Sequence, residues 1–289
     1  MRYSCLHTHT NFCDGDDDVE TICRAAYEQG LVSVGFSSHA PIRRKTGLSS
    51  DWHLRDERLE EYLDAVRAAR RRWAGKLPVF LGLEADYIRG LTGPADRDYR
   101  DMGLDYLIGS VHYVIPPNGR EPFTVDGPRE EFERDLRENF DGDGEALMEA
   151  YWEAVRDMLR EGGFDILGHL DLIKKNNPRQ EWFSPEGERY LRQTARIADP
   201  VAASGVVVEL NTGGLNRGKT TEPYPSPGIL GLLREKNVPI IITADAHRAG
   251  HLRSHYDTAR QALLDAGYTR TVLFGGRRDG KPVWNDEAL

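Results

Sequence analysis

The sequence predicts an α/β protein built from seven successive strand–helix units. Short β-branched, apolar runs recur along the chain, and segments with apolar residues about 3.6 positions apart lie between them. The length of 289 residues suits one α/β barrel, which commonly has ~250, so a single domain over residues 1–289 is expected. Repeated strand-then-helix order is typical of a barrel or of an open, doubly wound sheet, and both alternatives remain open at this point.

The predicted strands are short apolar runs bounded by polar or glycine-containing segments. In chain order they run from Tyr3 to His7, Val32 to Ser37, Val79 to Glu84, Tyr106 to Val111, Asp165 to His169, Val206 to Leu210 and Pro239 to Thr243. The clearest helical patterns are Val19 to Ala26, Leu59 to Trp73, Gly144 to Arg160, Pro185 to Ala203, Pro227 to Lys236 and Arg248 to Ala266. No G-x-G-x-x-G turn follows the first strand, which disfavours a dinucleotide-binding sheet.

One segment after the fourth strand interrupts the regular alternation of strands and helices. From Ile115 to about Asp143 the chain contains four prolines and several glycines, so the connection is too long for a simple turn between strand and helix. The sequence therefore predicts an insertion over residues 115–143. It has two interpretations, a lid over the site or a surface excursion with one short helix near Arg129 to Asn139.

Composition and charge exclude several classes of protein. The formal net charge is −9 and there is no long basic run, which opposes extended contact with nucleic acid and favours a small anionic substrate. No run approaches the ~18 uninterrupted apolar residues of a membrane span, and no signal peptide is evident, so a cytoplasmic protein without a membrane partner is expected. The three cysteines, all near the N-terminus, fit neither a disulfide framework nor a zinc ribbon.

Side chains that commonly bind metals stand at the C-terminal end of every predicted strand. They include six of the nine histidines, and the set is His7, His9, Asp14, His39, Glu84, His112, His169, Asp171, Glu209, Asn211, Asp245 and His247. A single histidine at a strand end is usually only a hydrogen-bonded structural residue. Six together with carboxylates, at the end where barrel enzymes build their active sites, instead indicate a metal centre.

The mixture of residue types in this set also indicates which metals are expected. Imidazole and carboxylate ligands without thiolate suit Zn²⁺, Mn²⁺ or Fe²⁺, and the set is larger than one tetrahedral ion requires. The sequence therefore predicts two or three divalent ions. Glu84 could bridge two of them, because each carboxylate oxygen can bind one metal at a spacing of roughly 4 Å.

The order of these motifs resembles one known family. The series H-T-H-T followed by D-G, then S-H-A-P, G-L-E-A-D-Y, G-S-V-H-Y, G-H-L-D-L-I, E-L-N-T and T-A-D-A-H is similar to that of the polymerase and histidinol phosphatase (PHP) family. Within it, the chain most resembles the monofunctional histidinol-phosphate phosphatases. The resemblance runs from Cys5 to His247. It implies a distorted, TIM-like (β/α)7 barrel with a trinuclear metal site at the C-terminal ends of the strands.

The resemblance also implies which residues bind each ion. The first ion would be bound by His7, His9, Glu84 and Asp245, the second by Glu84, His112 and His169, and the third by Asp14, His39 and His247. Some relatives carry histidine at the position of Asp14, and three aspartates follow it closely, so this ligand remains open. The expected catalytic residues are Glu84 as the bridge and Asp245 or His247, either of which could help to protonate the leaving alkoxide, with a metal-bound water as the third alternative.

Four cations are candidates for binding the substrate phosphate. Arg217 and Lys219 follow the sixth strand, and Lys174 and Lys175 follow the fifth. The alternative for each is an ordinary solvated side chain. The remaining histidines, His53, His251 and His255, lie outside the motifs and are expected to be surface or structural residues, although His53 follows the second strand and could reach the rim.

These observations favour an enzyme, a metal-dependent histidinol-phosphatase of histidine biosynthesis that converts L-histidinol phosphate to L-histidinol and phosphate. The alternatives are another PHP-family phosphoesterase, either a nucleotide phosphatase or a nuclease, and a non-catalytic metal-binding protein. A metal-dependent amidohydrolase is less favoured, because no strand-end lysine is suited to bridge two metals. The expected partner is a small phosphomonoester, not nucleic acid, and the oligomeric state, including a homo-oligomer, stays open.

Overall fold

The computed structural model describes residues 1–48 and 50–289, without the side chain of Arg43. Strands β1 to β11 are Ser4–Cys5, Ser33–Phe36, Val79–Asp86, Tyr106–Ser110, Tyr113–Val114, Phe123–Thr124, Ile166–Leu167, Val207–Asn211, Ile240–Thr243, Arg270–Arg278 and Lys281–Ala288. Helices α1 to α11 are Val19–Glu28, Arg43–Thr46, Leu59–Arg72, Asp98–Asp101, Arg129–Phe140, Gly144–Glu161, Glu188–Ala195, Ala198–Ser204, Gly213–Asn216, Pro227–Glu235 and Tyr256–Asp265. None of these helices is both long enough and apolar enough to cross a membrane.

Seven parallel strands form the barrel. Their order is β1, β2, β3, β4, β7, β8, β9, which is the order of the chain once the β5–β6 pair is set aside. The first and last strands meet just beyond their C-terminal ends, where His9 N donates to Ala246 O at 2.9 Å and Ala246 N donates to His7 O at 3.0 Å. The predicted (β/α)7 barrel is therefore confirmed, and the open-sheet alternative is wrong because these two strand ends pair.

Some predicted boundaries are wrong. The pattern from Arg248 to Ala266 predicted one helix, but α11 begins at Tyr256, after His255 adopts a left-handed backbone conformation that stops regular helix. The pattern from Pro185 to Ala203 is divided between α7 and α8. The β10–β11 hairpin was not predicted at all.

The hairpin covers the N-terminal end of the barrel. Phe274 of β10 packs edge-on against Phe80 near the start of β3, with ring centroids 4.8 Å apart, and against Tyr106 at the start of β4, at 5.7 Å. Val272 and Phe274 join one buried cluster with barrel residues that include Leu6. The C-terminal end of the barrel is therefore the open one, and the predicted metal site lies there.

Tyr106 fills the centre of the barrel. Its hydroxyl lies 2.5 Å from Leu6 O and 3.0 Å from Phe36 O, so it donates to the carbonyls at two other strands. A Cβ atom at Gly35 or Gly82 would lie only 2.5 or 2.6 Å from the Tyr106 side chain. Both glycines are therefore needed for this ring to enter the barrel.

We expect Gly82→Ala to destabilise the fold by about 1–3 kcal/mol, the usual cost of overpacking a filled core. Thermal unfolding monitored by circular dichroism would measure the change. Gly231→Ala in α10 is the control, because no atom of the described residues outside its own stretch of helix lies within 4 Å of the added methyl group. An unchanged Tm for Gly82→Ala would mean that the ring has room to move.

The insertion predicted over residues 115–143 contains α5 and strand β6, and β6 pairs antiparallel with β5, which lies just before the insertion. Phe123 of β6 packs against Phe132 and Phe140 of α5, with ring centroids 5.5 and 5.7 Å apart. Asn176 Nδ2 then donates to Val125 O and Gly127 O, which attaches the segment to the loop after β7. The insertion is thus packed against the barrel beside its open end.

Candidate metal centre

All nine predicted metal ligands converge at the open end of the barrel. Seven of them are buried, and the side chains of Asp14 and His247 are 30% and 22% exposed. Four overlapping sets of donor atoms lie within 4.8 Å of one another: His7, His9 and Asp245; Glu84, His112 and His169; His9, Asp14, His39 and His247; and His39, Asp86 and His112. The first three sets correspond to the ligand groups implied by the resemblance.

The first group lies between β1, β3 and β9. His7 Nε2 is 3.1 Å from Glu84 Oε2, and His9 Nε2 is 3.2 Å from Asp245 Oδ1 and 3.6 Å from Glu84 Oε2. Ligand atoms around a tetrahedral zinc ion are separated by about 3.4 Å, given bonds of about 2.0–2.1 Å. The spacing in this group therefore fits one ion.

The second group uses the other oxygen of Glu84. Glu84 Oε1 lies 2.9 Å from His169 Nε2 and 3.6 Å from His112 Nε2, and the two histidine nitrogens are 3.1 Å apart. Ser110 Oγ donates to the same oxygen at 2.6 Å, which fixes the plane of the carboxylate. One carboxylate thus presents one oxygen to each of two neighbouring ligand groups.

The third group is more open to solvent. His247 Nε2 lies 3.0 Å from Asp14 Oδ2, and His39 Nε2 lies 3.8 Å from Asp14 Oδ1. His9 stacks on His247 with ring centroids 4.2 Å apart and is shared with the first group. Asp14 is the carboxylate brought to this group, whereas its neighbours Asp16 and Asp17 bind Arg248 and Ala249 N.

Buried polar atoms in the cluster fit a cation. Among the described residues, His7 Nε2, His9 Nε2, His39 Nδ1 and Glu84 Oε2 have no hydrogen-bond partner. Each such atom costs about 1–3 kcal/mol when it stays unsatisfied. Because these nitrogen and carboxylate atoms converge, a divalent metal bound among them would satisfy several at once.

The ionisation state of the carboxylates also suits metal binding. Burial raises the pKa of Glu84, but the neighbouring His7, His39 and His112 outweigh it and hold that pKa well below its usual range. Burial likewise opposes ionisation of Asp245, while Arg217 and His7 lower its pKa well below normal. Both carboxylates are therefore ionised at neutral pH.

A buried carboxylate behind the first group orients two of the histidines. His7 Nδ1 donates to Glu209 Oε2 at 2.8 Å, and His169 N donates to Glu209 Oε1 at 2.7 Å. The first contact holds the proton of a neutral His7 on Nδ1, so that Nε2 would present its lone pair to a bound metal. Glu209, one of the strand-end carboxylates of the sequence analysis, therefore orients ligands.

Sequence reasoning missed Asp86, and it expected His53 to be a surface or structural residue that could reach the rim. His112 Nδ1 donates to Asp86 Oδ1 at 2.7 Å, and His53 Nε2 donates to Asp86 Oδ2 at 2.7 Å. His53 Nδ1 in turn lies 2.8 Å from Ser50 Oγ. His53 is only 6% exposed and supports the metal cluster from behind. A signal for Asp86 was present, because residues two apart on a strand share a face and Glu84 precedes it.

We expect Asp86→Asn to weaken metal affinity by roughly 10- to 100-fold, because the carboxylate fixes the tautomer and the basicity of His112. Competition with a chromophoric chelator would measure this affinity. Asp165→Asn is the matched control, since Asp165 binds Leu107 N and Arg277 away from the cluster. Equal affinities in the two variants would count against an orienting role for Asp86.

Two glycines allow the loops to approach the ligands closely. A Cβ at Gly15 would lie 2.6 Å from backbone atoms of His9 and Thr10, which explains the D-G pair after Asp14. A Cβ at Gly213 would lie 2.7 Å from Asp245 Oδ2. Asp245 itself has a φ of 48°, a left-handed conformation that aspartate tolerates better than most residues.

A cavity of about 250 Å³ lies over the cluster. Its wall includes seven of the nine cluster residues, all but His7 and His9. The rest of the wall is formed by Trp52, Thr124, Asp126, Gly127, Pro128, Leu172, Lys175 and Arg217. Arg217 Nη2 donates to Asp245 Oδ2 at 2.8 Å, and Arg217 Nη1 lies 3.0 Å from His247 Nδ1. Two of the four predicted phosphate-binding cations, Arg217 and Lys175, therefore reach the cavity.

The other two predicted cations do not line the cavity. Lys174 Nζ donates to Glu222 Oε1 and Pro223 O, both at 2.9 Å, and lies 3.1 Å from Asp171 Oδ2. Its charge is therefore already balanced by two carboxylates. Lys219 is exposed on the surface beyond α9. Asp171 also accepts from Ser226 N, so its role is to hold this loop.

Comparison with protein families and named proteins gives a consistent result. The model of the PHP domain matches residues 6–213. A Deinococcus radiodurans protein named "Probable histidinol-phosphatase" is 32% identical over 273 residues, which cover 94% of this chain and 96% of that protein. A Bacillus subtilis protein named histidinol-phosphatase is 24% identical over 266 residues, covering 87% of this chain and 96% of that protein.

Two solved structures share the fold. A Listeria monocytogenes protein described as a "putative histidinol phosphatase" superposes with a TM-score of 0.78 at 23% identity, over 88% of this chain and 99% of that one. The histidinol phosphate phosphatase of Lactococcus lactis superposes with a TM-score of 0.61 at 18% identity, over 94% and 96%. The Lactococcus structure contains zinc, L-histidinol and phosphate.

Proposed function

Because this chain belongs to the PHP domain family, we propose that it is a metal-dependent histidinol-phosphatase that hydrolyses L-histidinol phosphate to L-histidinol and phosphate in histidine biosynthesis. The named relatives, and the L-histidinol and phosphate present in the Lactococcus structure, support this substrate. Among the residues of this chain, the observation that carries the proposal is Glu84, whose two oxygens face two adjacent groups of histidines.

The proposed cofactors are two or three divalent ions, chosen from Zn, Mn and Fe. The first would be bound by His7, His9, Glu84 and Asp245, the second by Glu84, His112 and His169, and the third by Asp14, His39 and His247. Such ions would supply Lewis-acid chemistry, namely a water activated at neutral pH and neutralisation of charge on the phosphoryl oxygens.

Residues of the chain would orient the phosphate. Arg217 and Lys175 line the cavity above the cluster, and we propose that both bind phosphoryl oxygens. Arg217 is the stronger candidate, because a guanidinium can bind one oxygen while its other nitrogens remain on Asp245 and His247. Binding at these positions would align phosphorus for in-line attack.

The ionisation state of Asp245 favours a role as a proton acceptor at the start of the reaction over a role as a general acid. Its low pKa means that Asp245 is ionised before reaction, so it cannot begin as the proton donor. We propose that Asp245 accepts the proton of the attacking water and returns it to the leaving oxygen. His247 would remain at the cavity wall as a ligand.

A panel of phosphomonoesters tests this function. We expect kcat/KM for L-histidinol phosphate to exceed the values for p-nitrophenyl phosphate and for mononucleotides, because contacts with the rest of the substrate also position the phosphorus. The small cavity and the net charge of −9 favour a compact substrate over a polyanion. A higher kcat/KM for a nucleotide would instead support another PHP-family phosphoesterase. No hydrolysis of any ester by the metal-loaded protein would support a non-catalytic metal-binding protein.

A further inference from the structure

One carboxylate faces the cavity without belonging to any ligand group. Asp14, Glu84 and Asp245 line the cavity and all belong to the metal-ligand sets, whereas Asp126 lines it and belongs to none. Asp126 lies just after β6, within the insertion. It is therefore the one cavity carboxylate, among the described residues, that metal binding would leave available.

Asp126 has one occupied oxygen and one available oxygen. Lys175 Nζ donates to Asp126 Oδ2 at 2.9 Å, and no other hydrogen bond or ion pair to Asp126 occurs within residues 1–48 and 50–289. The side chain is 20% exposed, and Asp126 is one of the residues that line the cavity. Burial raises the pKa of Asp126, but Lys175 and His112 outweigh it and lower the pKa to about 2. A negatively charged acceptor thus faces the substrate space at neutral pH.

We propose that Asp126 is the specificity-determining residue that binds the ammonium group of the substrate. This inference rests on the proposed function, because it assigns the amino group of that substrate, which is carried on the carbon next to the CH2–O–P group and so lies near the phosphate and Lys175. An ammonium group has three donors and no acceptor, so the available Oδ1 atom is a suitable partner. The partly buried position strengthens the ion pair, since the effective dielectric there is lower than in water.

The position of Asp126 in the chain fits a role in specificity. The metal ligands come from the ends of barrel strands, whereas Asp126 comes from a segment inserted after β4 and β5. A barrel with the same metal cluster but a different insertion would present another group at this place. Selection of an amine-bearing phosphomonoester would then depend on the insertion and not on the barrel.

A different role for Asp126 would give a different kinetic result. Its contact with Lys175 could serve only to hold that lysine against the phosphate. Loss of the carboxylate would then weaken every phosphomonoester by the same factor. A contact with the ammonium group would instead weaken only those substrates that carry an amine.

The experiment compares two substrates in four proteins. The substrates are L-histidinol phosphate and its analogue in which hydrogen replaces the amino group. The proteins are the wild type, Asp126→Asn, Asp126→Glu and the control Glu131→Gln, which removes a charge from an exposed position on α5. The quantity measured is the ratio of kcat/KM for the amine substrate to kcat/KM for the amine-free analogue.

We expect Asp126→Asn to lower this ratio by roughly 10- to 100-fold, the effect of losing a hydrogen bond to a charged group. Asp126→Glu should retain part of the preference because it keeps the charge, and Glu131→Gln should retain all of it. An unchanged ratio in Asp126→Asn would overturn the inference, even if both rates fall. Failure of the wild type to hydrolyse either ester would contradict the proposed function itself, which keeps the two failures distinguishable. Thermal unfolding of each variant would show that the fold is intact.

Discussion

Replacing Glu84 with alanine is expected to reduce kcat by roughly 10³-fold or more, a larger loss than replacing any one terminal ligand. The reason is geometric. Glu84 Oε2 faces His7 and His9, while Glu84 Oε1 faces His112 and His169. Removing this one side chain therefore takes a ligand from both groups. The water and the phosphate that the two groups would position together would then be misplaced.

Two further variants separate the effect of the Glu84 charge from the effects of its volume and of its position between two ligand groups. Glu84→Gln keeps the volume and an oxygen for Ser110 Oγ but removes the charge, so it should lose most of the activity. His247→Ala removes a more exposed ligand of one group and should cost less. Steady-state kinetics at saturating metal would measure both. If Glu84→Ala had kinetics close to those of wild type, Glu84 would not be a bridging ligand.

Folding must be checked because Glu84 is fully buried. Its carboxylate is surrounded by five histidines, so an alanine there leaves imidazoles without their negative partner. Circular dichroism and thermal unfolding of Glu84→Ala would show whether activity is lost from a folded barrel. The Gln variant is the more informative one if the alanine variant unfolds.

The metal ligands could be predicted from sequence because parallel strands place their C-terminal ends together. Once His7, Glu84 and Asp245 were each assigned to a strand end, their proximity followed from the barrel. The barrel also placed Glu209 behind His7, two residues before Asn211 on the same strand. The assignment of the strands was therefore enough to predict where most of the site residues lie.

The parts that could not be predicted depend on loops. His53 reaches Asp86 only because the segment after α2 folds back over β3, and no periodic pattern encodes that path. Lys174 is neutralised by Glu222, which is 48 residues away in the chain. The β10–β11 hairpin follows the last barrel strand and has no counterpart in a repeating strand–helix pattern.

The Asp126 contact illustrates the same point. The proline-rich insertion was recognisable from the sequence, but the side chain it turns toward the cavity depends on how β6 pairs with β5. The attachment of Asn176 to Val125 O then fixes the residue that follows. Tertiary contacts, not local propensity, decide which carboxylate faces the substrate.

Removing the metals is expected to abolish phosphatase activity and to lower the Tm by several degrees. A ligand that binds only the folded state stabilises it by RT ln(1 + [L]/Kd), which is about 4 kcal/mol at a concentration 1,000 times Kd. Protein purified without chelator should contain more than one equivalent of divalent metal by elemental analysis. Prolonged dialysis against a strong chelator should remove it.

The loss of stability has a cause within the cluster itself. Without metal, His7 Nε2, His9 Nε2 and Glu84 Oε2 are buried close together but form no hydrogen bond, and a buried polar atom left unsatisfied costs the fold up to about 1–3 kcal/mol. Adding back Zn²⁺, Mn²⁺ or Fe²⁺ should restore both the Tm and the activity, and the ion that restores most activity identifies the best cofactor. Chelation of Glu84→Ala should shift the Tm less than chelation of wild type, because that variant has lost the shared ligand. Full activity in a preparation shown by elemental analysis to be metal-free would contradict the assignment of the whole cluster, since its buried histidines and carboxylates would then have a purely structural role.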